Sequence, residues 1–144
     1  MRQKNSCFTM IGILATLTMV LLVLVATVDA STYKVLYTFQ GGRNGGHPYD
    51  ALILDATGSL YGTTLEGGGT CDGNPCGTVF KLAPNSNGGW TESVLYRFKG
   101  GSDGMEPVGS LIFDGAGNLY GTTTLGGAGK SGTVFRLTPQ SNGK

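Results

Sequence analysis

Apolar positions along this chain come in short bursts, each fenced by Gly, Pro, Asn or Asp: YKVLYTF, ALILD, LYGTTL and GTVFKL, then ESVLYRF, SLIFD, LYGTTT and GTVFRL. β-Branched and aromatic residues dominate the bursts, so each predicts a strand. ALIL and SLIF are apolar on both sides, which predicts strands covered on both faces. VLYRFK instead sets Val94, Tyr96 and Phe98 against Leu95, Arg97 and Lys99, the pattern of a strand with one wet face. Beyond Ala30 no stretch keeps the period of a helix. The expected fold is all-β.

The bursts occur in the same order twice. The frame that starts at Val35 returns at Val94, a period of roughly 55 to 60 residues, which divides the chain into copy one (about 34–92) and copy two (about 93–144). Between ALIL and LYGTT stands Asp55-Ala-Thr-Gly58, and its counterpart is Asp114-Gly-Ala-Gly117. Asp accepts a main-chain hydrogen bond at the start of such a turn and Gly takes the left-handed conformation near its end. Both aspartates therefore read as turn caps rather than catalytic acids. Gly62 and Gly121, inside LYGTT, are expected to leave room for a neighbouring sheet. A repeated antiparallel meander from a buried inner strand to a more polar outer one describes two β-propeller-type blades, an incomplete propeller. The phase is shifted, so that YKVLYTF, starting near Lys34, is expected to act as a stray outer strand.

The amino terminus is different. Arg2 and Lys4 precede an uncharged run from Cys7 to Val28, followed by Val28-Asp29-Ala30, and this predicts a signal segment over residues 1–30 with cleavage before Ser31. The run is also long enough to span a bilayer, so a retained anchor is the second reading. Either way residues 31–144 are expected outside the cytoplasm, in the extracellular space or the cell envelope, with membrane contact only if the leader is kept. Loss of residues 1–30 removes Arg2, Lys4 and Asp29 and leaves equal numbers of basic and acidic residues. With no basic run among them, nucleic acid is an unsuitable partner. Cys71 and Cys76 frame CDGNPC, and an oxidising compartment favours a disulfide across that loop, with free thiols as the alternative. Two thiols do not complete a tetrahedral metal shell.

Several motifs tempt and fail. Gly126 to Ser131 resembles the end of a phosphate loop, but Thr124 stands where its first Gly is required and a strand follows where that motif needs a helix. Gly100-Gly-Ser102-Asp-Gly104 fits the pattern of a nucleophile elbow, yet a Pro107 loop and a strand follow, and His47, the chain's one histidine, lies in the other copy, where it aligns with Glu106 as a surface loop residue. Asp103 with Glu106 supplies too few oxygens for calcium. No catalytic, cofactor or metal residues are assigned. The aromatics that recur in both copies read as core. Trp90 and Tyr49 recur in neither and lie near turns, which makes them the candidate contacts for a sugar or protein ligand.

Leu60-Tyr61-Gly62-Thr63-Thr64 together with Gly77-Thr78-Val79-Phe80, both repeated, resembles the GloVer-type tandem repeat of bacterial exported proteins, over nearly all of Lys34 to Lys144. The shorter D..G(S/N)LY element also looks like the blade motif of extracellular NHL-type propellers. The resemblance implies an extracytoplasmic repeat protein, often tethered by varied C-terminal anchors, with no catalytic residues to carry over. The chain departs from the pattern in its low number of repeats, in ending at Ser141-Asn-Gly-Lys144 without an anchor, and in the insertion at Cys71–Cys76. A propeller takes about four to eight blades. Two blades leave a face open at each end, so either copies of the chain associate, three or four at a time, or the chain is a fragment of a longer array. The expected function is a non-enzymatic extracellular binding or structural scaffold. The alternatives are a lectin-like module and a propeller-type enzyme degrading polysaccharides.

Overall fold

The computed structural model describes residues 31–71 and 73–139. The predicted leader, Cys7 and the terminal Ser141–Lys144 lie outside the described residues. Among the described residues, ten strands and two short 3-10 turns make up the regular structure, and there is no α-helix. In copy one, β1 (Gly46–Pro48) and β2 (Ile53–Leu54) lie in series along one edge of β3 (Leu60–Glu66). The insertion forms a small ladder of β4 (Thr70–Cys71) with β5 (Asn74–Pro75). Then β6 (Thr78–Pro84) pairs with β3, and β7 (Trp90–Arg97) pairs with β6. Copy two repeats the pattern with β8 (Ile112–Phe113), β9 (Leu119–Thr123) and β10 (Thr133–Leu137). The bridge of Met105 to Leu125 stands where β1 meets β3 in copy one. All pairing is antiparallel, and neither sheet closes on itself.

Three expectations change. YKVLYTF forms no strand: residues 31–41 carry no regular structure, because no neighbouring strand offers them a ladder. From Val35 on, this segment packs through its rings instead, Phe39 edge-on against Phe80 and Tyr37 against Phe39. ALIL and SLIF shrink to two-residue strands, and ALIL is not covered on both faces. It forms a sheet edge on which Leu52 and Leu54 are exposed. Finally, the alternation in β7 is interrupted. Val79 pairs with Tyr96 and Phe80 with Val94, so Leu95 bulges out of register and joins the rim of the core.

The glycines of LYGTT also serve a purpose other than the expected one. A Cβ on Gly62 would lie 2.8 Å from both Leu52 and Phe80, and one on Gly121 would lie 2.5 Å from Phe135 and 2.8 Å from Leu111. The space is filled by the sheet's own phenylalanine and by the leucine just before β2 or β8, not by another sheet.

The core lies between the two sheets. Register places Ile53, Tyr61 and Lys81 in one row and Thr63 with Val79 in the next. This face of the first sheet meets the second, with Tyr61 edge-on to Phe113 at 5.1 Å, and Val79, Leu111 and Leu119 buried in the same cluster. Phe98, just past β7, crosses over to meet Phe135 edge-on at 5.2 Å. Beneath each sheet a threonine pair is tied across strands. Thr64 gives its proton to the Glu66 carbonyl, so Thr78 must donate to Thr64. Thr123 and Thr133 repeat the arrangement.

Candidate functional site

The duplicated turn aspartates and threonine pairs are occupied locally, whereas the buried Thr63 hydroxyl has no hydrogen-bond partner among the described residues. Asp55 Oδ1 accepts from the Thr57 amide and hydroxyl and from the Ser59 amide, while Oδ2 accepts from the Tyr61 hydroxyl. Asp114 accepts from the amides of Ala116 and Asn118, from the Asn118 side chain and from Tyr120. Gly58 and Gly117 close these turns at φ 82° and 81°, and each donates its amide to the aspartate carbonyl. Burial pushes the Asp55 carboxyl up, but the hydrogen bonds from Thr57, Ser59 and Tyr61 outweigh it and hold the group down at about 2. The Asn118 side chain, then its amide, hold Asp114 at about 2 as well. Both aspartates are anions engaged inside turns.

The remaining candidates are scattered. Tyr49 follows β1 and is 71% exposed, and Trp90 opens β7 at the opposite edge of the same sheet. Strand spacing separates those edges by roughly 14 Å, so the two rings form no common platform. Ser102 sits in a 3-10 turn, and its neighbour Asp103 accepts from the Tyr96 hydroxyl at 2.6 Å and from the Lys99 amide. That bond to Asp103 raises the Tyr96 phenol to about 12. Asn44 stands at the matching position of copy one, and there Tyr37 donates to Glu92 instead. His47 is exposed and pairs with Glu66 at 2.9 Å. Lys130 and Ser131 lie on an exposed turn between β9 and β10. Among the described residues no three His, Cys, Asp or Glu side chains gather as a metal site.

Two surfaces stand out; sequence reading expected an open face at each end of two stacked units but named none of the residues that line them. The first is the open face of the second sheet. Ile112, Tyr120 and Arg136 share one row and Thr122 with Val134 the next, and this is the face that copy one buries. Val79 is fully buried, whereas its equivalent Val134 is 80% exposed. The second is a groove of about 580 Å³ on the other side of the first sheet, bordered by Tyr37, Phe39, His47, Pro48 and Glu66. Leu52, at 47% exposure, lies on this sheet where Leu111 of copy two is fully buried.

In copy two the place of that groove is taken. The disulfide-linked Cys71–Cys76 hairpin, its Cα atoms 5.3 Å apart, lies over it. Glu106 donates its amide to the Cys76 carbonyl, and Phe98 donates to Gly77. A Cβ on Gly100 would strike Cys71, and one on Gly77 would strike Pro107. His47 and Glu106 share a left-handed backbone, φ 53° and 56°, each before a proline, so the loop is built the same way in both copies. Identical motifs gave no warning that only one of the two grooves is filled.

Compared with known proteins, residues 22–144 match the Gloeobacter/Verrucomicrobia repeat. No curated protein and no solved structure gave a match.

Proposed function

From the premise that this chain belongs to the Gloeobacter/Verrucomicrobia repeat family, we propose that it is a non-enzymatic scaffold exported from the cytoplasm, built of propeller-type blades that stack side by side. The observation that carries this reading is the use of the recurring polar groups. Asp55 and Asp114 each hold four hydrogen bonds within their own turns, and the threonine pairs are consumed between strands. Duplicated side chains in matching surroundings build the unit rather than divide acid and base roles between them. The blade assignment draws support from the order β1/β2, β3, β6, β7, a four-stranded meander whose face is covered by the next sheet. The bonded Cys71–Cys76 pair suits an oxidising compartment, as the leader does.

The purified chain, incubated with a panel of polysaccharides, is expected to release no product, and fractionation of the native host should find it outside the cytoplasm. Product release that is lost in Asp55→Ala or Asp114→Ala would replace the scaffold with an enzyme. A lectin-like reading rests on the exposed Tyr49 ring. Binding on a glycan array that Tyr49→Ala abolishes would favour it.

A further inference from the structure

The contact between the two copies is a template for a contact that the described chain leaves unmade. The front of the first sheet, with Tyr61, Thr63 and Val79, covers the back of the second, with Leu111, Phe113 and Phe135. The hairpin ending at Gly77 then seats on Gly100 and Pro107. The front of the second sheet carries Tyr120, Thr122 and Val134 at the same positions and is open. The back of the first sheet carries Leu52, Leu54 and Phe80 at the matching positions and is open at Leu52 and Leu54. The two open faces are therefore the two halves of an interface the molecule already contains.

We infer that a second copy of this chain docks head to tail, its first sheet's back receiving the second sheet's front. The inference rests on the stacked-sheet reading above. Its register follows from the internal joint. Val79 pairs with Tyr96 and Phe80 with Val94 across β6 and β7. The equivalent segment Val35–Phe39, which differs from Val94–Phe98 only in Thr38 for Arg97, then lays a fourth strand on the outer edge of the other copy's β10, Val134 opposite Tyr37 and Phe135 opposite Val35, with Leu36 in the bulge. This gives YKVLYTF the ladder it lacks alone. The groove at His47 and Pro48 receives the other copy's turn at Ser131 and Gly132, and the His47 amide donates to the Ser131 carbonyl as Glu106 does to Cys76. Tyr120 rests on Leu54 as Tyr61 rests on Phe113. Leu54 is smaller than Phe113, and the turn at Ser131 carries no disulfide, so this joint is the weaker of the two. Such an interface is heterologous: it closes into a ring if the rotation allows and otherwise extends.

Val134 and Leu54 are exposed in the single chain, 80% and 64%, so a charge at either position leaves the fold intact, with circular dichroism as the check. Sedimentation of the full chain is expected to show association at or above the micromolar range usual for interfaces of ordinary size. Val134→Asp and Leu54→Asp should each reduce it at least tenfold. Mixed together, the two variants should form a 1:1 dimer that grows no further, because one keeps its back and the other its front. Ile112→Asp on the same front should behave as Val134→Asp does. A wild-type chain that stays monomeric, association that survives both variants, or loss in Val134→Asp with none in Leu54→Asp would each overturn the inference. The last outcome would mean a symmetric front-to-front contact. Nuclear Overhauser contacts between the Tyr61 and Phe113 rings separate the two readings: present in a monomer, they retain the stacked sheets and sink only the docking; absent, they sink both.

Discussion

Asp55 and Asp114 turn a short connection into a pH-dependent one. An unfolded aspartate titrates near about 3.9, while both carboxyls titrate at about 2 in the fold. Between those values the unfolded chain binds more protons, so stability is intact above about pH 4 and falls as the pH drops toward 2. Replacing both by Asn should lower the thermal midpoint at neutral pH and flatten its decline over that acid range. An unchanged slope would assign the acid sensitivity elsewhere. Tyr96 works at the other end: its folded value of about 12 lies above the ordinary phenol, so the stability it contributes is lost as pH rises from about 10 to 12. Tyr96→Phe should remove that alkaline component, as read by thermal melts on both sides of pH 10. Space matters as much as charge. An alanine at Gly62 would press its methyl into Leu52 and Phe80, and chemical denaturation should register a loss of about 1–3 kcal/mol.

Strands were legible where the sequence had partners to offer them. LYGTT and GTVF(K/R)L alternate cleanly and pair with each other within a few tens of residues, and they became β3 with β6 and β9 with β10. The Asp-x-x-Gly turns were equally readable, since their chemistry is local. YKVLYTF shares Val-Leu-Tyr with β7 but found no edge, because a strand exists only against a neighbour and sequence alone does not say which neighbour is present. The bulge at Leu95 was hidden for a related reason: it depends on how β7 meets β6. The candidate surfaces were the least legible of all. Val79 and Val134 sit in identical words, GTVF, and differ only in what covers them. Val79→Ala should therefore cost about 1–3 kcal/mol in denaturant unfolding, and Val134→Ala should stay within about 0.5 kcal/mol in the isolated chain.

For the whole molecule, stability and assembly are linked. If copies cover each other's open sheets, folding gains from association and the thermal midpoint must rise with protein concentration. Val134→Asp should abolish that dependence while leaving the dilute-limit midpoint in place. The two joints differ chemically, since only the one inside the chain is capped by the Cys71–Cys76 bond. A reductant thus becomes a tool that tells them apart. Treated with dithiothreitol, the chain should loosen where its own halves meet, by about 2 kcal/mol on the loop-entropy scale, while the seam between separate molecules, which has no sulfur, should keep its affinity. The lone cystine gives an otherwise repetitive chain a polarity, marking one end of each unit as already fastened and the other as open to exchange.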